Sequence, residues 1–510
     1  MLIETLKKEL EDLFEIVAFI DLSDVRKKHR SVFDVFKLFY KAVYDDNQRL
    51  VLYTQHDPEQ EFLDHIQRAA SRIDISNFFI LIVCPHDIQE KLKTANKKYG
   101  NDDVFIKSLI RPLADTGSFV DKNFYKIETL CPLPFSQMHV NNSGKTFPCC
   151  KFNGHTGDLS GSTLQDEFHR DKIVSIRNQM LDGKFPDGCS VCWENEKTGT
   201  TSFRQLAMQK YGDALDQEWI DDIQLRDLTW SPASLCNFTC RICDSRFSSS
   251  IAVEEIKFST DPEHRLRLKN QIKIDSDKNI KLIESLKSLK NLEFLHVLGG
   301  EPFIWPNLPK MIDTLISEGI SDRINLEFNT NGSIYPEDQI SKIIENFKSV
   351  EVLLSIDNIG KKFEIERGGR WDDVSQNIIR FANLRSNKIK IKLAVTVNLQ
   401  NVLYLDEILN YAGNLGIEIL WWYLETPEFL CIDYPTEKVK EIVVSKYRSH
   451  KNRELRKIAE RVSCSTPSDG RSFLDYAQKL DQRRGQNFSV SHKEIYEYMG
   501  GCVFPKELVK

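Results

Sequence analysis

The sequence predicts an α/β protein with parallel βα units at its centre, and three observations carry that reading. Between about 223 and 430, short apolar runs alternate with longer stretches whose apolar residues recur every three or four positions, the pattern of strands followed by amphipathic helices. At 510 residues the chain exceeds what one hydrophobic core usually supports, so three or four structural units are expected. Cysteine-, glycine- and asparagine-containing clusters follow the apolar runs directly, at the strand ends where barrels and open parallel sheets gather ligands.

Residues 1–115 read as a separate small α/β unit. Its strands are "EIVAFI" (15–20), "RLVLYT" (49–54) and "FFILIV" (78–83), with a helix whose Phe62, Ile66, Ala70 and Ile73 form one apolar stripe. His56-Asp57 and His86-Asp87 follow two of these strands and read as ordinary polar loop ends rather than a ligand edge. Residues 116–222 hold five clustered cysteines and form a second unit. Residues 223–430 contain six strand candidates, "IQLRDLTW" (223–230), "LEFLHVLG" (292–299), "INLEFNT" (324–330), "VEVLLSID" (350–357), "IKLAVTVN" (391–398) and "IEILWWYL" (417–424). Leu282, Leu286 and Leu289, and then Met311, Leu315 and Ile316, mark helices between them. Such an array either closes towards a barrel or forms an open sheet. Residues 431–510 read as a helical, polar extension.

Composition narrows the class. A hydrophobic fraction of 41% with 28% charged residues is that of a soluble globular protein. The longest apolar run, "NFFILIVC" at 77–84, is too short for a membrane helix, and "MLIETLKKELEDLFE" reads as an acidic amphipathic helix rather than a signal peptide. A cytoplasmic location is therefore expected. The net charge of -6 gives no general reason to bind nucleic acid or anionic membrane. The basic run at 445–461 reads as a solvated helix face. Twelve cysteines are many for a reducing compartment, so the clustered ones read as metal ligands. Cys84, Cys431, Cys464 and Cys502 stand apart and read as buried small hydrophobes.

The chemistry concentrates in "SPASLCNFTCRICDSRFSSS" (231–250), where Cys236, Cys240 and Cys243 share one short loop after the first strand. Three thiolates can hold three irons of a 4Fe-4S cube and leave the fourth open to a ligand that is not protein. Gly299-Gly300-Glu301-Pro302 follows the second strand; its glycines let backbone approach a ligand, and Glu301 can accept from an ammonium. At these residues the chain resembles the radical SAM superfamily. That resemblance implies a partial (β/α)6 TIM-like barrel whose open iron is chelated by S-adenosylmethionine, with a 5'-deoxyadenosyl radical abstracting hydrogen from substrate. It implies that Gly299, Gly300 and Glu301 hold the methionine amino group. Ser355 and Asp357 match the position of ribose and carboxylate contacts, and Asn329 and Thr330 occupy the adjacent strand end. Ile242 stands where the family usually has an aromatic residue near the adenine.

Cys131, Cys149, Cys189 and Cys192 form a second set. "FSQMHVNNSGKTFPC" reads as a β-hairpin with Asn142-Ser143-Gly144 at its turn, returning Cys149 beside Cys131. Spacing alone makes structural zinc the default. The resemblance implies instead a twitch domain, the short form of the SPASM domain, placed before the barrel and holding an auxiliary 4Fe-4S cluster. "GCSVCWENEKTGTTSFRQ" (188–205) and "DNIGKKFEIERGGRWDDV" (357–374) fit that subgroup. Cys150 is the alternative to Cys149 as ligand. The implied partners are a reducing protein such as flavodoxin or ferredoxin, and an unidentified peptide or small-molecule substrate. A non-catalytic scaffold with two structural zinc or cluster sites is the competing reading.

Overall fold

The computed structural model describes residues 129–197, 202–211, 223–272 and 276–502, together with four short strands nearer the N-terminus. Those strands are β1 (Ala18–Asp21), β2 (Leu52–Tyr53), β3 (Phe78–Val83) and β4 (Ile110–Arg111). β1 runs antiparallel to β3, whereas β2 and β4 pair with it in parallel. The helix expected at 62–73 and both His-Asp dipeptides lie outside the described residues.

The hairpin expected before the barrel is present as β5 (Gln137–Val140) and β6 (Lys145–Phe147). Asn141 explains the turn: its Oδ1 accepts from the amides of Ser143 and Lys145 at 3.1 and 3.0 Å, and Gly144 adopts φ +80°, a conformation glycine takes without steric cost. A short β7 (Gly157–Asp158) runs antiparallel to β6.

All six predicted core strands form, as β8 (Asp227–Trp230), β9 (Phe294–Val297), β10 (Asn325–Thr330), β11 (Ser349–Ser355), β12 (Ile389–Val397) and β13 (Glu418–Tyr423). They pair in parallel in chain order, with the hairpin strands continuing the sheet beyond β8. The architecture is a partial (β/α)6 barrel. Alternation along β10 sorts its side chains: Leu326, Phe328 and Thr330 are buried, while Asn325, Glu327 and Asn329 are half-buried. The apolar face is matched by helices such as Leu308–Ser317, with Met311, Ile312 and Leu315 buried, and Trp371–Ala382, with Val374, Ile378 and Phe381 buried. The opposite face keeps polar groups. His296 Nε2 lies 3.3 Å from Glu327 and 2.8 Å from Asn329 Oδ1, and Lys392 pairs with Glu351 at 2.7 Å.

The C-terminal segment is helical, with Glu437–Tyr447, Arg453–Ser463 and Arg471–Arg484 as its longest elements. Its Val439, Val443, Leu455, Ile458 and Phe473 share one core with Val395 and Val397 of β12. In the basic run, Leu455, Ile458 and Val462 therefore turn inward, leaving the charged positions for the other face. Cys431 is buried as expected, but Cys464 and Cys502 are exposed. Cys464 caps the C-terminus of the helix Arg453–Ser463, one position beyond the turn that supplies Val462 to the core. Cys84 lies outside the described residues. Among the described residues, no helix is long and apolar enough to cross a membrane.

The chain divides into two compact units, one of Met1–Gln137, Phe147–Thr156 and His169–Gln224, the other of Met138–Thr146, Gly157–Phe168 and Leu225–Lys510. The second cysteine set falls in the former, and the barrel site in the latter.

Candidate functional site

The cysteine loop joins β8 to the helix Ser249–Phe258. An irregular loop leaves backbone donors and acceptors without sheet or helix partners. Here the serines of "RFSSS" supply many of them. Ser249 Oγ accepts from Cys236 N at 3.1 Å, Ser250 Oγ donates to Cys236 O at 2.7 Å, and Ser248 Oγ donates to Phe238 O at 2.7 Å. From the other side, Arg367 O accepts from Thr239 N at 3.2 Å and Glu366 O from Arg241 N at 2.7 Å.

Cys240 is buried, and Cys236 and Cys243 are half-buried. Burial pushes all three thiols up, Cys240 to about 11, and repulsion between Cys240 and each neighbour adds to the effect. The Arg367 guanidinium opposes it at Cys236 and Cys240. Three such thiols ionise together only when a cation compensates their charge, which is what iron supplies. The donor set fits a cluster.

Gly299 and Gly300 lie against this loop. Gly300 N donates to Ala233 O at 3.1 Å and Glu301 N to Leu235 O at 2.7 Å. A Cβ on Gly300 would sit 2.0 Å from Leu235 O, and one on Gly299 would sit 2.6 Å from Ala233 O. The close approach that requires these glycines is thus made to the chain itself. Glu301 is buried, with Oε1 accepting from Phe303 N and Thr330 Oγ1 at 3.1 and 2.8 Å and Oε2 from Asn331 N at 2.6 Å. Burial raises its carboxyl to about 7, against the pull of those donors.

Asn329 Oδ1 meets His296, and Ser355 ends β11 half-buried. Asp357 is buried: its Oδ1 accepts from Thr396 N at 3.0 Å, and its Oδ2 pairs with Arg367. Ile242 packs against the core shared with the C-terminal helices. Two residues of this neighbourhood were assigned no role in the sequence reading. Asn331 Nδ2 reaches Cys236 Sγ at 3.8 Å and Asn237 Oδ1 at 2.9 Å. Arg367 joins Asp357 to the cysteine loop and keeps a buried Nε without a hydrogen-bond partner. The signal for Arg367 was its place in the stretch 357–374 beside two acidic positions.

In the other unit, Cys131, Cys149, Cys189 and Cys192 line one recess with Phe152, Trp193 and Arg204, while the Cys150 side chain is exposed. A short 3-10 turn, Asp187–Cys189, leads into the helix Ser190–Lys197 and places the last two cysteines. Gly188 permits this because a Cβ there would sit 2.3 Å from the Phe152 ring. Arg204 ties the parts together. Its Nη1 donates to Leu130 O at 2.9 Å, next to Cys131, its Nε donates to Glu196 at 2.9 Å, and its guanidinium covers the Trp193 ring at 4.4 Å. Burial raises all four thiols, Cys189 to about 12, so this donor set also fits a cationic metal group. Among the described residues, no three His, Cys, Asp or Glu side chains are gathered as ligands of a single ion; the donors of a cube bind separate irons and need not meet at one point.

Residues 230–412 match the Radical SAM superfamily. No curated protein shows significant similarity to the chain. Among solved structures, the chain is similar to Streptococcus suis SuiB bound to its precursor peptide SuiA, at 14% identity over 56% of this chain and 61% of that one, with a TM-score of 0.28. It is similar also to anSMEcpe with bound AdoMet, at 14% identity over 49% of this chain and 66% of that one, with a TM-score of 0.31. The chain thus spans 61% of the length of SuiB. The matched residues run from the last residue of β8 into the helix Leu405–Leu415.

Proposed function

We propose that the protein is a radical S-adenosylmethionine enzyme with two 4Fe-4S clusters. The observation that carries this reading is the loop of Cys236, Cys240 and Cys243, closed by serine and backbone bonds and offering three thiols at the end of β8. A cluster held there supplies reductive cleavage of S-adenosylmethionine and the hydrogen abstraction that follows. The chain's own residues orient and shield it. Gly299 and Gly300 seat the second strand end against the loop, Glu301 fixes the third to the second, and Arg367 offers its free Nε to an anionic group. Ser355, Asn329, Thr330 and Asp357 border the same strand ends, and Ile242 replaces the aromatic neighbour of adenine.

Cys131, Cys149, Cys189 and Cys192 would hold the auxiliary cluster of a twitch domain, which would supply an electron acceptor for the substrate. The polar face carrying His296, Glu327, Glu351 and Lys392 favours a polar substrate, a peptide side chain or a small molecule such as a sugar. The activity is an oxidation, crosslink or epimerisation at an unactivated carbon. A flavodoxin or ferredoxin supplies electrons in the cytoplasm, and the N-terminal unit recognises substrate or partner.

Metal content and cofactor cleavage test this together. Anaerobically reconstituted protein should carry about eight irons and eight sulfides per chain with little zinc. Reduced protein given S-adenosylmethionine should release 5'-deoxyadenosine, and joint replacement of Cys236, Cys240 and Cys243 by alanine should abolish that release. Zinc at both sites, or cleavage surviving the triple substitution, would reject the proposal. Replacing Cys189 and Cys192 with alanine should leave cofactor cleavage within about twofold while halving iron content, since only the auxiliary site is lost. Unchanged iron in that variant would remove the auxiliary cluster from the reading.

A further inference from the structure

The residues that hold the cysteine loop in place do not all come from the barrel. Two side chains of the helix Arg471–Arg484, far along the chain, reach its backbone carbonyls. Arg484 Nη1 donates to Thr239 O at 2.7 Å, and Tyr476 Oη donates to Arg241 O at 2.5 Å. These carbonyls flank Cys240. Arg484 is itself aimed by Glu254, whose carboxylate accepts from its Nε at 2.9 Å and lies on the helix that follows the loop. Traffic also runs the other way. The Arg241 side chain is wholly buried, pairs with Asp481, and donates to Gln486 Oε1 at 2.9 Å and Ile365 O at 3.1 Å. It lies over the Phe488 ring at 5.1 Å.

A second tier supports the first. Glu366, whose carbonyl accepts from Arg241 N, has its carboxylate between Asn358 Nδ2 at 2.8 Å and His492 Nε2 at 2.7 Å. His492 stacks on Phe488 with ring centroids 4.2 Å apart. Backbone and side chain at 239–241 are thus enclosed by the C-terminal helices on one side and by 365–367 on the other.

We infer that the C-terminal helices are a clamp on the cluster loop, with Tyr476 and Arg484 as positioning residues that hold the carbonyls on either side of Cys240. The inference rests on the proposed cluster for its purpose but not for its geometry, which is that of the protein alone. Without these donors, two carbonyls in a crowded loop lose their partners, and local opening becomes cheaper than global unfolding. Opening of the loop exposes Cys240, and iron leaves through the opened state.

Hydrogen exchange on the metal-free full-length protein tests the geometry. In Tyr476→Phe and Arg484→Gln, amides of residues 237–243 should exchange about tenfold faster or more, as expected for a lost charged or buried hydrogen bond, while amides of β10 and β11 keep their protection. Arg484→Lys, which retains a charged donor, should recover part of the protection. In reconstituted protein the same two variants should lose iron to a chelator about tenfold faster in the phase that Cys236→Ala abolishes. Unchanged exchange at 237–243, or equal acceleration throughout β10 and β11, would overturn the clamp. Failure of wild-type protein to take up iron at all would reject the cluster reading and leave the exchange result to decide the clamp by itself.

Discussion

On the proposed two-cluster reading, Gly300→Ala is expected to strip the cysteine loop of its cluster while leaving that of the other unit in place. The added methyl would sit 2.0 Å from Leu235 O and 2.4 Å from Leu235 C. Both are backbone atoms, so no side-chain rotation relieves the clash. Gly300 N and Glu301 N are at the same time bonded to Ala233 O and Leu235 O, which fixes the two segments against each other. One of them must shift, and the residue after Leu235 is Cys236. Overpacking of this kind costs about 1–3 kcal/mol in a rigid setting, and here the strain falls on a proposed cluster ligand. Iron and sulfide should drop by about half in the reconstituted variant, because one of the two proposed cubes would be lost, and 5'-deoxyadenosine release should fall below detection. Gly413→Ala is the matched control. That glycine lies inside the helix Leu405–Leu415, and an added methyl there would meet nothing within 4 Å, so the substitution should stabilise the helix slightly. Full iron content in Gly300→Ala would show that the strand end can retreat without disturbing the loop.

The six core strands were legible because each is a run of period-two or fully apolar residues set off by polar clusters, and a parallel sheet buries such runs on sequence-local rules. The cysteine loop and the Gly-Gly turn were legible for the same reason: the relevant residues are neighbours in the chain. What these glycines do was less so. The sequence suggested an approach to a ligand; the distances add an approach to Ala233 and Leu235. Glu301 was read as an acceptor for an ammonium; its oxygens also accept from Phe303, Thr330 and Asn331. Neither fact has a local signature. The C-terminal segment was the largest gap. Its contacts with the loop join residues more than two hundred positions apart, such as Arg241 and Asp481, and no periodicity within either segment announces them. Cys464 failed for a different reason: an isolated cysteine near an amphipathic helix is most often inside, and only the helix boundary puts this one outside.

Arg367→Met should destabilise the barrel by about 3–5 kcal/mol, the range for removing one partner of a buried ion pair. Asp357 is almost fully buried and shares its carboxylate between Arg367 and Thr396 N. Without the guanidinium, a charge is left in an apolar setting with a single amide donor. The loss should appear as a lower midpoint of denaturant unfolding. The second substitution Asp357→Asn removes that charge, so the double variant should regain most of the stability without regaining the S-adenosylmethionine cleavage proposed for the wild type. This separation matters because Arg367 has two roles in the geometry. Its backbone carbonyl accepts from Thr239 N and Cys240 Sγ, which the double variant preserves, whereas its side chain carries the positive charge beside Cys236 and Cys240. A double variant that is stable, binds iron normally and has lost affinity for S-adenosylmethionine in equilibrium dialysis, where Asp357→Asn alone keeps it, would assign the guanidinium to the cofactor. One that is stable and still binds and cleaves the cofactor would confine Arg367 to structural support of Asp357.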